Sequence, residues 1–429
     1  MRSTSPEQFG PLSLPVIPKP DITRFESELT ACPDCGLAQR IRRPQQNQIA
    51  TCVRCGAVLE APGSVGLTAP LALAITGIFL AAVANLSPLL TVRLAGAVRP
   101  SRLITGPLAL GHEGLGSLGL LVAALSILIP LVWLGSVSYV LASLQFDRKS
   151  PSLAQRFRLA ERLRPLAMVD VFLLGSFVAF TRLRDLATVD IGPGGWALAA
   201  LAVTMVAVDT TLDRRLVWDL IETPHRASRP SGAGWRSCAV CGLMVAGSPA
   251  RCPRCASHMR NRKPNSLART AALVIAGFIL YVPANLLPVL TVIRFGRAHP
   301  NTILSGIREL FGAQMWPLAL IVLVASVVVP LLKLCGLTWL MISVRRKSSR
   351  LLLQRTRLYR AIRAVGRWAN IDVFAVSTLV SLVQFGSITS IEPNTGAAVF
   401  AAVVVVTMVA AETFDPRLMW DAAEGRHVG

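Results

Sequence analysis

A chain of 429 residues that is 53% hydrophobic and 16% charged, with a mean hydropathy of +0.55, excludes an ordinary soluble domain, in which about 25% of residues are charged. Its 44 Lys+Arg against 23 Asp+Glu leave a formal charge of +21. Such an excess fits a nucleic-acid binder or a membrane protein with basic cytoplasmic loops, and the placement of the charges decides between them.

In chain order, residues 1–30 are polar and Pro-rich and predict a disordered tail without a signal-peptide core. Residues 31–60 carry Cys32-Pro33-Asp34-Cys35 and Cys52-Val53-Arg54-Cys55. Four apolar runs follow, at about 69–92, 116–144, 166–183 and 195–212, each near the ~20 residues that cross a hydrocarbon core. A basic stretch holds Cys238-Ala239-Val240-Cys241 and Cys252-Pro253-Arg254-Cys255, and four more runs lie at about 268–293, 316–344, 368–388 and 396–412. The expected organisation is a tail (1–30), a first zinc ribbon (31–60), four spans (66–222), a second ribbon (232–262) and four spans (266–424). The fold class is an all-α integral membrane protein of two pseudo-repeats.

Arg148, Lys149, Arg156, Arg158, Arg162 and Arg164 lie between the second and third runs. Arg345, Arg346, Lys347, Arg350, Arg355, Arg357, Arg360, Arg363 and Arg367 lie between the sixth and seventh, with no acid among them. The alternate connections are poorer in charge. Positive-inside reasoning puts the basic segments in the cytoplasm, and an even number of spans puts both termini and both Cys modules there too. The charge is then explained without nucleic acid.

Eight of the nine cysteines form Cys-x-x-Cys pairs. Two such knuckles suit tetrahedral zinc, so Cys32, Cys35, Cys52 and Cys55 predict one ion, and Cys238, Cys241, Cys252 and Cys255 a second. Four protein ligands leave no open position, which makes both sites structural. The alternative, a redox dithiol, needs an exposed low-pKa thiol in a βαβ setting, which the surrounding sequence does not suggest.

The two halves are copies. Ala84-Asn85-Leu86-Ser87-Pro88-Leu89-Leu90-Thr91-Val92 returns as Ala284-Asn285-Leu286-Leu287-Pro288-Val289-Leu290-Thr291-Val292. Val169-Asp170-Val171-Phe172 answers Ile371-Asp372-Val373-Phe374, and Asp213-x-Arg215-Leu216-x-Trp218 answers Asp415-x-Arg417-Leu418-x-Trp420. Asn85, Pro88, Pro130, Asn285, Pro288 and Pro330 predict helix kinks, with Asn satisfying freed backbone groups. Trp218 and Trp420 predict an interfacial belt. Charged groups within spans default to functional candidates. They are Lys333, with Trp133 as its counterpart, together with Asp372, Asp170, Arg182 and Asp185. Lys333 and Asp372 are expected to pair, with Ser326, Ser377 and Thr407 as relay partners. No Gly-x-x-x-x-Gly-Lys-[Ser/Thr] loop is present, so ATP hydrolysis by that route is excluded.

This full set of motifs, from Cys32 to Trp420, resembles the paraquat-inducible protein A family. The resemblance implies a non-enzymatic component in the inner (cytoplasmic) membrane of a Gram-negative cell, working with a periplasmic MCE-domain tunnel protein. It implies movement of phospholipid between the inner membrane and the tunnel, structural zinc ribbons, and a polar network that couples transport to protons. A membrane scaffold acting through its ribbons and a membrane dithiol oxidoreductase are the alternatives.

Overall fold

The computed structural model describes residues 28–425 apart from 43–47, 61–65, 95, 149, 185–186, 222–234, 248, 295–296 and 386–388. Most of the expected tail, and Asp185, lie outside the described residues. The last three tail residues belong to the first ribbon, whose hairpins pair β1 (Glu28–Ala31) with β2 (Ala38–Ile41) and β3 (Ala50–Thr51) with β4 (Val58–Glu60).

The first half continues with α1 (Thr68–Leu86), β5 (Leu90–Leu94), β6 (Ala97–Ser101), α2 (Thr105–His112) and α3 (Gly116–Ala123). A π-helical turn, Ala124–Leu128, leads into α4 (Ile129–Gln145). Then come α5 (Leu153–Leu163), a 3-10 turn at Arg164–Leu166, α6 (Val169–Arg184), β7 (Thr188–Ile191), α7 (Pro193–Thr211) and α8 (Arg214–Ile221). The second ribbon holds β8 (Trp235–Ser237) and β9 (Met244–Ala246). The second half repeats the order: α9 (Ser266–Leu286), β10 (Leu290–Arg294), β11 (Arg297–Asn301), α10 (Ile303–Gly312), α11 (Trp316–Leu323), a π turn at Val324–Val328, and α12 (Val329–Arg345). It closes with α13 (Leu352–Val365), a 3-10 turn at Gly366–Asn370, α14 (Ile371–Leu382), β12 (Thr389–Pro393), α15 (Thr395–Thr413) and α16 (Arg417–Ala423).

Among the described residues, seven helical units are long and apolar enough to cross a membrane, and only 22% to 56% of each apolar window is buried. The remaining apolar surface needs an apolar solvent, which makes this a multi-pass membrane protein. An eighth unit was expected at 368–388. There α14 has 12 residues, about 18 Å of helix, and is too short to cross alone. The reason lies upstream. The basic segments read as loops are helices, α5 and α13, and each joins the next helix through a 3-10 turn. In the first half the joined unit Leu153–Arg184 is one of the seven.

The fold is also not purely α. Leu90-Thr91-Val92 and Leu290-Thr291-Val292, expected as span ends, are the centres of three-stranded antiparallel sheets, ordered β6-β5-β7 and β11-β10-β12. Both α1 and α9 stop before the repeated proline, where Asn85 and Asn285 donate back to Ala81 O and Tyr281 O. Pro88 and Pro288 therefore end helices rather than kink them. Their carbonyls lie under glycine: a Cβ on Gly192 would sit 2.2 Å from Pro88 O, and one on Gly396 2.3 Å from Pro288 O. Pro130 and Pro330 follow the π turns. Proline has no N–H to give the carbonyl one wide turn back, and the freed Leu125 O accepts Met168 N instead, at 3.2 Å.

The halves meet along α6 and α14. Asn370 donates to Met168 Sδ, the Phe172 and Phe374 rings lie 5.3 Å apart edge to face, and Ser176 meets Thr378 at 3.4 Å. Each pair joins a residue to its own copy 202 positions later. Equivalent residues can meet at three successive turns only if the helices run parallel about an axis along their length. Both ribbons must then lie at one end of the molecule. Gly175 permits the approach, since a Cβ there would be 2.7 Å from Phe374 Cβ. Gly175→Ala is expected to destabilise the protein by about 1–3 kcal/mol through overpacking, read as a lower Tm, while Gly111→Ala, which meets open space, leaves Tm unchanged or raised.

Candidate metal centres and inter-half cavity

Each ribbon gathers its four thiols. All Sγ atoms of Cys32, Cys35, Cys52 and Cys55 lie within 4.8 Å of one another, as do those of Cys238, Cys241, Cys252 and Cys255. The closest pairs are 3.5 to 3.6 Å apart. A tetrahedron of Zn–S bonds near 2.3 Å has S···S edges of about 3.8 Å, so the donor sets fit zinc. The knuckles turn on left-handed residues: Gly36, Gly56 and Gly242, but Ala256 in the fourth. Within each cluster one thiol is held towards the thiolate form by its neighbour. Hydrogen bonding from Cys35 holds the Cys32 thiol down to about 5 and pushes that of Cys35 up. The same bond lowers Cys238 and raises Cys241. A divalent ion would take four thiolates in a closed structural centre. Ser257 bonds Cys238 Sγ and Cys255 Sγ, and Arg360 donates to Cys55 Sγ at 3.2 Å.

The ribbons dock crosswise. Arg360 on α13 reaches Cys55 O and Asp34 of the first ribbon, while its copy Arg158 on α5 reaches Cys255 O of the second. Arg54 pairs with Glu424 and lies over the Trp420 ring; Arg254 pairs with Asp219. The ribbon knuckle that precedes the first half thus sits on the second half, and the reverse, while Arg215 on α8 holds Glu60 and Thr30 of the first ribbon and Arg262 holds Asp421 of the second half. Trp218 and Trp420, expected at a membrane interface, are only 2% and 5% exposed. They are buried at these docking sites, Trp218 against Phe157 and Trp420 bonded to Thr356 Oγ1. Asp415 accepts from Arg417 and from Lys263 N, closing the second ribbon's exit against α15.

A cavity of about 800 Å³ opens between the halves. Its walls are largely apolar, including Leu118 of the first half and Leu310, Val376 and Phe400 of the second. Arg182, Glu309 and Asp372 also line it. It exists because the pseudo-symmetry is broken. In the first half α2 lies against α14, and a Cβ on Gly106 would meet Ser377 O at 2.9 Å. The copy, Gly306 on α10, lines the cavity with nothing within 4 Å.

The expected Lys333–Asp372 pair is not formed. Lys333, 1% exposed, donates to Gly366 O at 3.0 Å, because the 3-10 turn presents that carbonyl to α12. Asp372 faces the cavity from α14. Ser326, Ser377 and Thr407 are buried: the first two hydroxyls have no partner, and Thr407 bonds back to Val404 O. Asp170 is half-buried. Glu309 was missed by sequence reasoning. It is the lone acid between the fifth and sixth apolar runs, at a position where the first copy has Ala109.

The paraquat-inducible protein A family matches residues 67–222 and 267–424. The chain belongs to this family. It is 31% identical over 398 residues to the intermembrane transport protein PqiA of Escherichia coli strain K12, covering 91% of this chain and 95% of that one. The lipophilic envelope-spanning tunnel protein A of the same strain is 30% identical over 396 residues, 92% of this chain and 91% of that one. A probable intermembrane transport protein of Haemophilus influenzae is 24% identical over 417 residues, 94% and 98% of the two chains. No solved structure matches the chain.

Crossed docking predicts a crossed effect of metal loss. Cys35→Ser should lower bound zinc from two ions towards one and raise hydrogen exchange in α13 and α16 of the second half; a rise confined to α5 and α8 would contradict it. Ala256→Gly should relieve left-handed strain of about 1 kcal/mol and slow alkylation of Cys252 and Cys255.

Proposed function

We propose that this protein passes phospholipid between the bacterial inner membrane and a periplasmic MCE-domain tunnel protein, using the cavity between its halves as the lipid site. The observation that carries the reading is the cavity itself, apolar-walled yet charged, set in a bundle whose outer surface is apolar. The names of the relatives, intermembrane transport and envelope-spanning tunnel proteins, support the same task. In this reading the chain crosses eight times as two repeats of four, α13 and α14 together making the remaining crossing. The ribbons and both termini are cytoplasmic and hold two structural zinc ions, and the protein is not an enzyme.

Lys333, Ser326, Ser377, Thr407 and Asp170 lie off the cavity lining. They are proposed as a proton-coupling set rather than as lipid contacts. Gly306→Trp fills the cavity from a position with free space. It should lower lipid transfer by about tenfold or more while the protein still inserts and keeps its zinc. Undiminished transfer by that variant would overturn the cavity as the lipid site. Lys333→Ala should abolish any dependence of transfer on a proton gradient while lipid retention persists; an unchanged dependence would remove Lys333 from coupling.

A further inference from the structure

We infer that the cavity selects zwitterionic, ethanolamine-type phospholipid, with Arg182 taking the phosphodiester and Glu309 the ammonium of one headgroup. The inference rests on the reading of the cavity as a lipid site. Elsewhere, arginines drawn into the protein have a partner for the guanidinium: Arg214 with Glu161, Arg417 with Asp415, Arg254 with Asp219 and Arg355 with Ser348, although the Nε of the last two is also without one. Arg182 differs. Its Nε is buried without a hydrogen-bond partner, and among the described contacts its guanidinium makes no hydrogen bond or ion pair at all. Asp372 and Glu309 both act on it electrostatically, yet neither comes within ion-pair distance among the described contacts. Arg182 and Asp372, held apart across one cavity, lose solvation without gaining contact, while Glu309 faces the same cavity from an exposed position. A ligand that carries both signs restores it.

The geometry orders the charges. Helical side chains lean towards the helix N-terminus, so Arg182, near the end of α6, reaches back along the cavity towards Asp372 in the first turn of α14. Glu309 is exposed on α10 and stands at the mouth. A capping box between Thr302 and Ser305 fixes the start of that helix. The planar guanidinium fork suits a phosphodiester, and the apolar walls suit acyl chain. An anionic glycerol headgroup would satisfy Arg182 but bring no cation to Glu309 and Asp372, so the carboxylates reject it. The copied positions Gln384 and Ala109 are uncharged, so a cation from one half and a carboxylate from the other meet only on the side of the interface that has the cavity.

The test uses the purified full chain in nanodiscs of equal phosphatidylethanolamine and phosphatidylglycerol, with retained lipid identified by mass spectrometry and located by photoactivatable analogues. Wild type is expected to retain the ethanolamine lipid about tenfold over the glycerol lipid. Glu309→Gln, a neutral change at an exposed position, should bring the ratio near unity, and Glu309→Lys should invert it. Arg182→Gln should lose both lipids. A wild-type ratio of one, a preference for glycerol lipid, or a ratio unmoved by Glu309→Gln would overturn the headgroup assignment while leaving a lipid site in place. No lipid captured in the cavity from either class would overturn the assignment and the lipid-site reading together.

Discussion

The parallel seam between α6 and α14 constrains everything else in the molecule. Equivalent residues can face each other at Met168/Asn370, Phe172/Phe374 and Ser176/Thr378 only when the halves are related by an axis along the helices. That relation brings both ribbons to one end and both three-stranded sheets to the other. It also allows each ribbon to reach across and dock on the opposite half through Arg158 or Arg360. The four-cysteine ribbons then act as clasps between the halves, each touching both.

Against that symmetry, the cavity is a local departure. Gly106 lets α2 close on α14, whereas Gly306 leaves α10 standing away from α6. The same interface is therefore tightly packed on one side and open on the other. In this structure α10 lines the cavity where its copy α2 closes on α14. The charged residues follow the asymmetry, with Arg182 and Glu309 supplied from opposite halves to the open side alone.

Much of this was legible in the sequence because it is written in repeated spacing. The Cys-x-x-Cys pairs gave the ribbons, the nonamer and Val-Asp-Val-Phe gave the duplication, and long apolar runs gave most of the spans. Other features were hidden for physical reasons. Leu-Thr-Val after the proline is apolar enough to extend a span, so its strand pairing with Thr188–Ile191 or Thr389–Pro393 had no local signature. The arginines of α5 and α13 looked like loop charges, although their helices use Arg158 and Arg360 to hold the four-cysteine ribbons. Crossed docking is a long-range choice that no local pattern records. The cavity left one trace, the positions where otherwise similar copies differ in charge. Arg182 against Gln384 was visible, and Glu309 against Ala109 could have been found the same way.

The central claim is the parallel seam, and site-specific photo-cross-linking tests it most directly. A photoreactive phenylalanine replacing Phe172, activated in intact membranes, should capture the same chain at or next to Phe374 on α14. Capture at the far end of α14, on another helix of the first half, or only between two separate chains would contradict the parallel pairing and the placement of the ribbons, sheets and cavity built on it.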